Sequence, residues 1–384
     1  MSQHISKFAN RFNSMLPKSA TTFAEYVWVG GNGIDLRGKT MCLPKICSQL
    51  SDFPNWSFDG SSTGQAVTEK SEIFLKPVQI YPDPLRSENG EKNAFIVLCE
   101  TFENDEVTPA KANFRYYARK VFEEVNYENP WFGWEQEYIF LSYDGAHLRW
   151  PLGFPKSGFA EPQGPYYCSI GATNAFGREI AEAHMNVCLA AGIQLSGINA
   201  EVFPGQWEFQ IGPGHGLEGC DELWVARYFL QRLCEEFGVE ASFDPKPVKG
   251  QWNGSGCHCN VSTNSTRGLN GLEKIEEAIL KFEKKHGEHI FVYGEDNHER
   301  LTGFHETASI DKFSYRVGSR ASSIRIGNKT YRDRRGYFED RRPASNCDPY
   351  LVGGMILDTM VLNGKYGNEI VEAFKKYKST LKSH

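Results

Sequence analysis

The sequence predicts an α+β protein of two domains, one small and one large, and three observations point there. At 384 residues the chain exceeds what one hydrophobic core ordinarily organises. Segments with apolar and polar residues alternating at period two recur throughout, and the first two flank a turn, Gly30-Gly31-Asn32-Gly33, that suits a hairpin and so opens a small antiparallel sheet. Segments of helical period, 108–125, 175–191, 221–237 and 272–285, fall between the strands. The polar stretch Glu103-Asn104-Asp105-Glu106-Val107 marks the boundary, giving an N-terminal arm (1–22), a small domain (23–107) and a large domain (108–384).

The arm has no acidic residue and places Ile5, Phe8, Phe12 and Met15 at helical spacing beside Lys7, Arg11 and Lys18. A short amphipathic helix docked on a neighbouring surface explains this pattern, and a mitochondrial presequence is the competing reading. Phe23 to Val29 reads as a strand, the hairpin turn follows, and Ile34 begins a second strand. Within it, Gly33 to Thr40 fits the phosphate-loop pattern Gly-x4-Gly-Lys-Thr. Pro44 falls where the helix required by such a loop should be running, so the fit reads as accidental.

Trp56 to Thr63 is a turn-rich loop with Asp59 at its tip, a position where a carboxylate can brace its own backbone. Strands Glu72 to Tyr81 and Ala94 to Phe102 come next, and Thr108-Pro109 reads as cap and first turn of a helix carrying Phe114, Tyr117, Val121, Phe122 and Val125. Composition limits the partners. A net charge of −6 argues against nucleic acid or an anionic membrane, although basic residues gather toward the C-terminus, and no apolar run approaches the ~18 residues of a membrane span. Ten cysteines scattered through a long chain without a secretory signal read as reduced thiols of a cytoplasmic protein.

Trp131 to Leu141 is the most informative strand, because period two places Glu135 and Glu137 on one face of an otherwise apolar segment. Two such carboxylates resist desolvation unless a cation or several donors sit between them; a solvated strand face is the alternative. The second acidic strand, Gln206 to Ile211, puts Glu208 and Gln210 on one face, and Glu201 precedes its bend at Pro204. Gly214 to Gly219 fits the dinucleotide fingerprint, but the strand before it shows Glu208 and Gln210 where a doubly buried strand should be apolar, so a turn and helix entry is the better reading. Trp252 to Ser262 is a glycine-rich loop entering a strand with His258, Asn260 and Ser262 on one face; Cys-His-Cys at successive positions cannot converge on zinc. Arg300 to Thr307, Arg320 to Ile326 and Tyr337 to Pro343 then deliver arginines, with Glu339 and Arg341 side by side. Guanidinium forks alternating with carboxylates suit a site for metal ions together with phosphate or carboxylate oxygens.

These segments, Asn55 to Thr63, Trp131 to Tyr138, Asn199 to Pro213 with Trp252 to His258, and Arg300 to Pro343, resemble the eukaryotic-type glutamine synthetases over nearly the whole chain. The resemblance implies a β-grasp N-terminal domain and a catalytic domain whose curved antiparallel sheet forms a half-barrel backed by helices. It also implies a decamer of two stacked pentameric rings with active sites between subunits, and ATP-dependent ligation of ammonium to L-glutamate. Two or three Mg2+ or Mn2+ ions per site are implied, with Glu135, His258 and Glu339 holding the one nearer the nucleotide and Glu137, Glu201 and Glu208 the one nearer glutamate. Gln251, Trp252, Asn253, Gly254, Arg300, Arg320 and Arg341 are implied on the substrate side. Trp131, Glu135, Glu208, Asn260, Val261, Ser262, Arg320, Arg325, Tyr337, Phe338 and Glu339 are implied on the nucleotide side. Asp59 is implied as the acid that receives ammonium, Glu306 as the acid on a closing flap, and Arg325 and Arg341 as catalytic cations. The segment 327–335 departs from the family pattern: the proline that usually follows the Arg-Ile pair is absent.

Overall fold

Alternating apolar residues build two sheets in the computed structural model, which describes residues 15–87, 92–142, 150–155 and 162–381. The strands are β1 (Thr22–Val29), β2 (Leu36–Leu43), β3 (Trp56–Asp59), β4 (Glu72–Pro82), β5 (Asn93–Phe102), β6 (Trp131–Ser142), β7 (Trp150–Pro151), β8 (Leu195–Ala200), β9 (Gln206–His215), β10 (Val239–Ser242), β11 (Cys257–Ser262), β12 (Tyr315–Val317), β13 (Ile324–Ile326) and β14 (Phe338–Asp340). The helices are α1 (Phe114–Glu124), α2 (Arg178–Ala190), α3 (Glu218–Phe237), α4 (Asn264–Arg267), α5 (Gly271–Lys284), α6 (His286–Val292), α7 (Asn328–Asp333), α8 (Pro349–Met360) and α9 (Gly367–Leu381). They belong to two compact units: residues up to Asn113 with Ala190–Gly192, and Phe114–Leu189 with the residues from Ile193 onward.

The first unit carries the sheet β2-β1-β5-β4-β3. Its pairs are antiparallel as expected, apart from β1 and β5, which run parallel because β3 and β4 intervene and give the chain length to return in the same direction. Ala24, Tyr26 and Trp28 on β1 and Leu75 on β4 are buried on one side of it with Val97 and Phe53. The phosphate-loop look-alike is a tight turn at Gly33 running into β2, with no helix behind it. Its lysine is already engaged: Lys39 Nζ lies 3.7 Å from the Trp56 ring centroid and donates to Ser57 O at 2.9 Å. Lys39→Ala is therefore expected to leave ATP affinity unchanged in a calorimetric titration; a tenfold weaker Kd, about 1.4 kcal/mol, would restore the phosphate-loop reading.

One boundary is corrected. Thr108-Pro109 does not open a helix; Pro109 bridges back to Phe102, while Asp105 accepts from the backbone of Val107 and Thr108 and from the Thr108 hydroxyl. That local turn satisfies the backbone groups a helix would have used, and α1 starts only at Phe114, after Ala112 at φ 64°. Residues 1–14 of the expected helical arm, including Ile5, Phe8 and Phe12, lie outside the described residues; 15–21 are irregular.

The second unit contains the curved sheet β12-β13-β14-β11-β6-β9-β8, with β7 and β10 both pairing with the end of β6. All its pairs are antiparallel apart from β12 and β13. It curls into a half-barrel with helices behind it, the α+β architecture the sequence predicts. The dinucleotide look-alike sits between β9 and α3, and β9 is antiparallel to both its neighbours, so no parallel βαβ unit exists there. Helix α8 is buried along its whole length behind the sheet. All ten cysteines are free thiols; Cys42 in the first unit and Cys168 in the second are exposed and the rest are buried.

Candidate metal and active centre

Strand β6 is the spine of the site, because its even-numbered residues are buried and its odd-numbered acids face the hollow of the half-barrel. Antiparallel register then lays one acid beside another across the sheet. His258 on β11 pairs with Glu135, Glu208 on β9 with Glu137, Asn199 on β8 with Glu208, and Glu339 on β14 with both Asn260 and Arg325. Residues that the sequence placed on separate strand faces are thus gathered on one face of the sheet in three neighbouring rungs, Arg325-Glu339-Asn260, His258-Glu135-Gln210 and Glu137-Glu208-Asn199.

Two groups of donors on this face converge closely enough to hold an ion: Glu135, Glu208 and His258, and Glu137, Glu201 and Glu208. The inner group is the set implied for the glutamate-side ion. The outer group differs from the implied set, with Glu208 in place of Glu339. Charge explains the difference, since Glu339 Oε1 accepts from Arg341 Nη1 at 2.6 Å and Oε2 from Arg325 Nη1 at 2.9 Å. Its nearest approach to His258 Nδ1 is 3.7 Å. His258 Nδ1 is itself buried without a hydrogen-bond partner, 3.5 Å from Glu135 Oε2. A lone pair or N–H left so among carboxylates is what an ion-binding imidazole offers, and the residues fit a divalent cation.

The electrostatics agree. Burial pushes Glu137 up to about 7 against its backbone bond from Gly256 N, and pushes Glu201 up to about 8, with Glu137 adding repulsion. Glu208 is driven well above the ordinary carboxylate range by burial and by Glu135, Glu137 and Glu201, and burial holds His258 well below the usual imidazole value. Buried carboxylates of this kind oppose one another until positive charge arrives. In metal-free protein the unfolded chain releases these protons near 4.5 while the fold retains them to higher pH. The melting temperature should therefore fall as pH rises from about 5 to about 8 in chelator, and saturating Mn2+ should flatten the decline. Equal slopes with and without metal in paired thermal melts would sink this assignment.

Two cavities adjoin this face. The larger, about 460 Å³, is lined by Trp131, Glu135, Asn260, Ser262 and Tyr337 of the nucleotide-side set. Val261 and Phe338 alternate to the other side and are fully buried, Phe338 against Phe282 at 5.5 Å, so only their backbones can face a ligand. Sequence reasoning missed Arg267 here. At the end of α4 it lies 4.1 Å over the Trp131 ring and donates to Ser262 Oγ at 2.8 Å, and no motif or periodicity in Asn264-Ser265-Thr266-Arg267 marks it.

The smaller cavity, about 30 Å³, is lined by Glu137, Glu201, Asn253, Gly254, His258, Arg300, Glu306 and Arg341. Arg300 is buried, and its Nη2 is held by the carbonyls of Arg341, Arg342 and Pro343. Trp252 packs on Phe154 and Phe203, and Gln251 is exposed, its Oε1 accepting from His305 Nε2 at 3.0 Å. Arg320 is exposed, and its carbonyl accepts from Arg341 Nε at 3.1 Å. His305 and Glu306 both adopt positive φ, 53° and 61°, a pairing unusual for residues other than glycine and confined to this loop among the described residues. Asp59 belongs to the other unit. It is exposed, caps the turn Gly60–Thr63, and accepts from Ser61 N, Ser61 Oγ and Ser62 Oγ, bonds that hold its carboxyl below the usual range.

A half-barrel floored by clustered carboxylates and an imidazole that could hold a metal ion, with an apolar slot on one side and buried arginines on the other, is the site of an enzyme. The family profile described as "Glutamine synthetase, catalytic domain" matches residues 112–279. Similar proteins include a "Glutamine synthetase" of Emericella nidulans, 50% identical over 94% of this chain and 98% of its own length. Zea mays "Glutamine synthetase root isozyme 5" is 52% identical over 88% and 93%, and Arabidopsis thaliana "Glutamine synthetase cytosolic isozyme 1-3" 51% over 88% and 94%. The chain belongs to the glutamine synthetase family.

Proposed function

We propose that this protein ligates ammonia to L-glutamate at the expense of ATP, giving L-glutamine, ADP and phosphate through γ-glutamyl phosphate. The observation that carries this reading is Glu208, shared by two ion-ready donor groups that lie between an apolar slot suited to a nucleotide and a tight pocket walled by Arg300 and Arg341. Glu135, Glu137, Glu201, Glu208, His258 and Glu339 would hold Mg2+ or Mn2+, whose charge screens the triphosphate from the carboxylate it must meet. The glutamate γ-carboxylate oxygen takes the γ-phosphoryl group and ADP departs. Arg341 and Arg325, already oriented by Glu339, face the charge that accumulates on the transferring group.

Ammonium gives one proton to Asp59, ammonia attacks the acyl carbon, phosphate leaves, and Glu306 accepts the second proton. On the same reading the chain assembles as two stacked pentameric rings in which Asp59 serves a neighbouring subunit's site, in the cytosol. The phosphate-loop and dinucleotide readings lose their support with the strand at Lys39 and the antiparallel β9. Phosphate release assayed with ATP, Mg2+ and glutamate, with and without ammonium, tests the proposal. Release that requires glutamate and matches glutamine one for one supports it; hydrolysis indifferent to glutamate sinks it.

Glu306 sits on the strained loop at the mouth of the tight pocket, where it can both accept a proton and shield the acyl phosphate from water. Glu306→Ala should therefore raise the phosphate released per glutamine formed. An unchanged ratio with both rates lowered alike would leave this residue a positioning role only.

A further inference from the structure

Two neutral amides touch the inner donor group. Gln210 Nε2 donates to Glu208 Oε1 and, at 2.7 Å, to Asn199 Oδ1, while Asn199 Nδ2 donates at 3.0 Å to Glu201 Oε1. Glu208, Gln210, Asn199 and Glu201 are thus joined in one hydrogen-bonded chain. The sheet brings it about: Asn199 lies directly across from Glu208, Gln210 follows Glu208 on the same face, and Gly197 lies across from Gln210. A Cβ at Gly197 would stand 2.7 Å from Gln210 Oε1, and this glycine does not adopt positive φ. What the position needs is therefore the absence of a side chain, and the vacated space holds the Gln210 carboxamide.

Carboxylates crowded side by side repel one another and swing apart unless donors hold them. A guanidinium would orient them only by setting a positive charge beside them, as Arg325 and Arg341 do at Glu339. An amide N–H fixes one oxygen of each carboxylate and leaves its charge for a cation. We propose that Asn199 and Gln210 are positioning residues that set Glu201 and Glu208 for a divalent cation, and that Gly197 is glycine to make room for them. This rests on the reading of Glu137, Glu201 and Glu208 as cation ligands.

The test is Mn2+ titration of the full-length protein, followed by the electron paramagnetic resonance of free Mn2+, for Asn199→Ala, Gln210→Met, their double variant, Gly197→Ala and Glu208→Gln. Loss of either amide is expected to weaken one class of Mn2+ site about 10–100-fold. The double variant should be no worse than the weaker single, because the two amides act as one chain. Gly197→Ala, which alters no ligand and no amide, should weaken the same class by displacing Gln210. If Glu208→Gln loses a site while Gly197→Ala and both amide variants bind Mn2+ like wild type, the amides merely fill space and the inference is overturned, with the cation reading intact. If Glu208→Gln itself binds Mn2+ unchanged, the cation reading falls and the inference with it. Should Asn199→Ala fail to fold, Gly197→Ala decides the question, its backbone being compatible with alanine.

Discussion

Glu208→Gln is expected to lower kcat/KM for glutamine formation by at least roughly 10²–10³-fold, a loss of about 3–4 kcal/mol of transition-state stabilisation. Glu208 alone belongs to both donor groups, so one neutral substitution weakens both at once. Glutamine keeps the shape of the side chain, so packing against β6 is preserved. The same change removes a buried, mutually repelled carboxylate, so the metal-free variant should melt no lower than wild type near pH 8. Kinetics and thermal melts on one preparation separate the two effects. Turnover within about tenfold of wild type, about 1.4 kcal/mol, would remove Glu208 from the centre of the site.

Arg227→Met is expected to destabilise the second unit by about 3–5 kcal/mol, the cost of leaving buried polar partners unanswered. Arg227 on α3 is buried beneath β6, where Nε and Nη2 both donate to Gln136 Oε1 at 2.8 and 2.6 Å. Its Nη1 donates to Cys347 O at 2.9 Å and its Nη2 to Ser345 O at 3.0 Å. Gln136 in turn donates to Ser345 Oγ at 2.9 Å. Since Gln136 stands between Glu135 and Glu137, this network anchors the back of the strand whose front carries the acids. Methionine replaces the length of arginine and none of its donors. Urea unfolding followed by tryptophan fluorescence measures the loss, and a change below about 1 kcal/mol would show that the network adds little to the stability of this unit.

Where function lies in local period, the sequence was readable. The common faces of Glu135 with Glu137, of Glu208 with Gln210, and of His258 with Asn260 follow from the two-residue repeat of a strand, and the structure keeps each of them. The order in which those strands assemble is a tertiary property. No local pattern shows that Glu208 stands between Glu137 and Asn199, or that Glu339 is held by Arg325 and Arg341. Helix α8 escaped notice for a different reason: Pro349-Tyr350-Leu351-Val352-Gly353-Gly354-Met355-Ile356-Leu357 is apolar all round, so burial on every side erases the periodicity that identifies a surface helix. The expected helix at Thr108-Pro109 failed because Asp105 offers those backbone groups a local alternative that capping rules do not weigh.

The distribution of thiols turns the chain into its own reporter. Thiolate is the reacting form, and burial pushes Cys99 and Cys220 well above the usual thiol range, so a maleimide added to native protein meets Cys42 and Cys168 first. One of these lies in each compact unit, which allows a donor and an acceptor dye to be attached without introducing a cysteine. The buried thiols then serve as a clock. Cys47 and Cys99 become reactive only when the first unit opens, and Cys188, Cys220, Cys234, Cys257, Cys259 and Cys347 only when the second does. Peptide mapping of label against time therefore reads the opening of each unit separately, and Cys257 and Cys259, flanking His258 on β11, report on the strand that carries the imidazole.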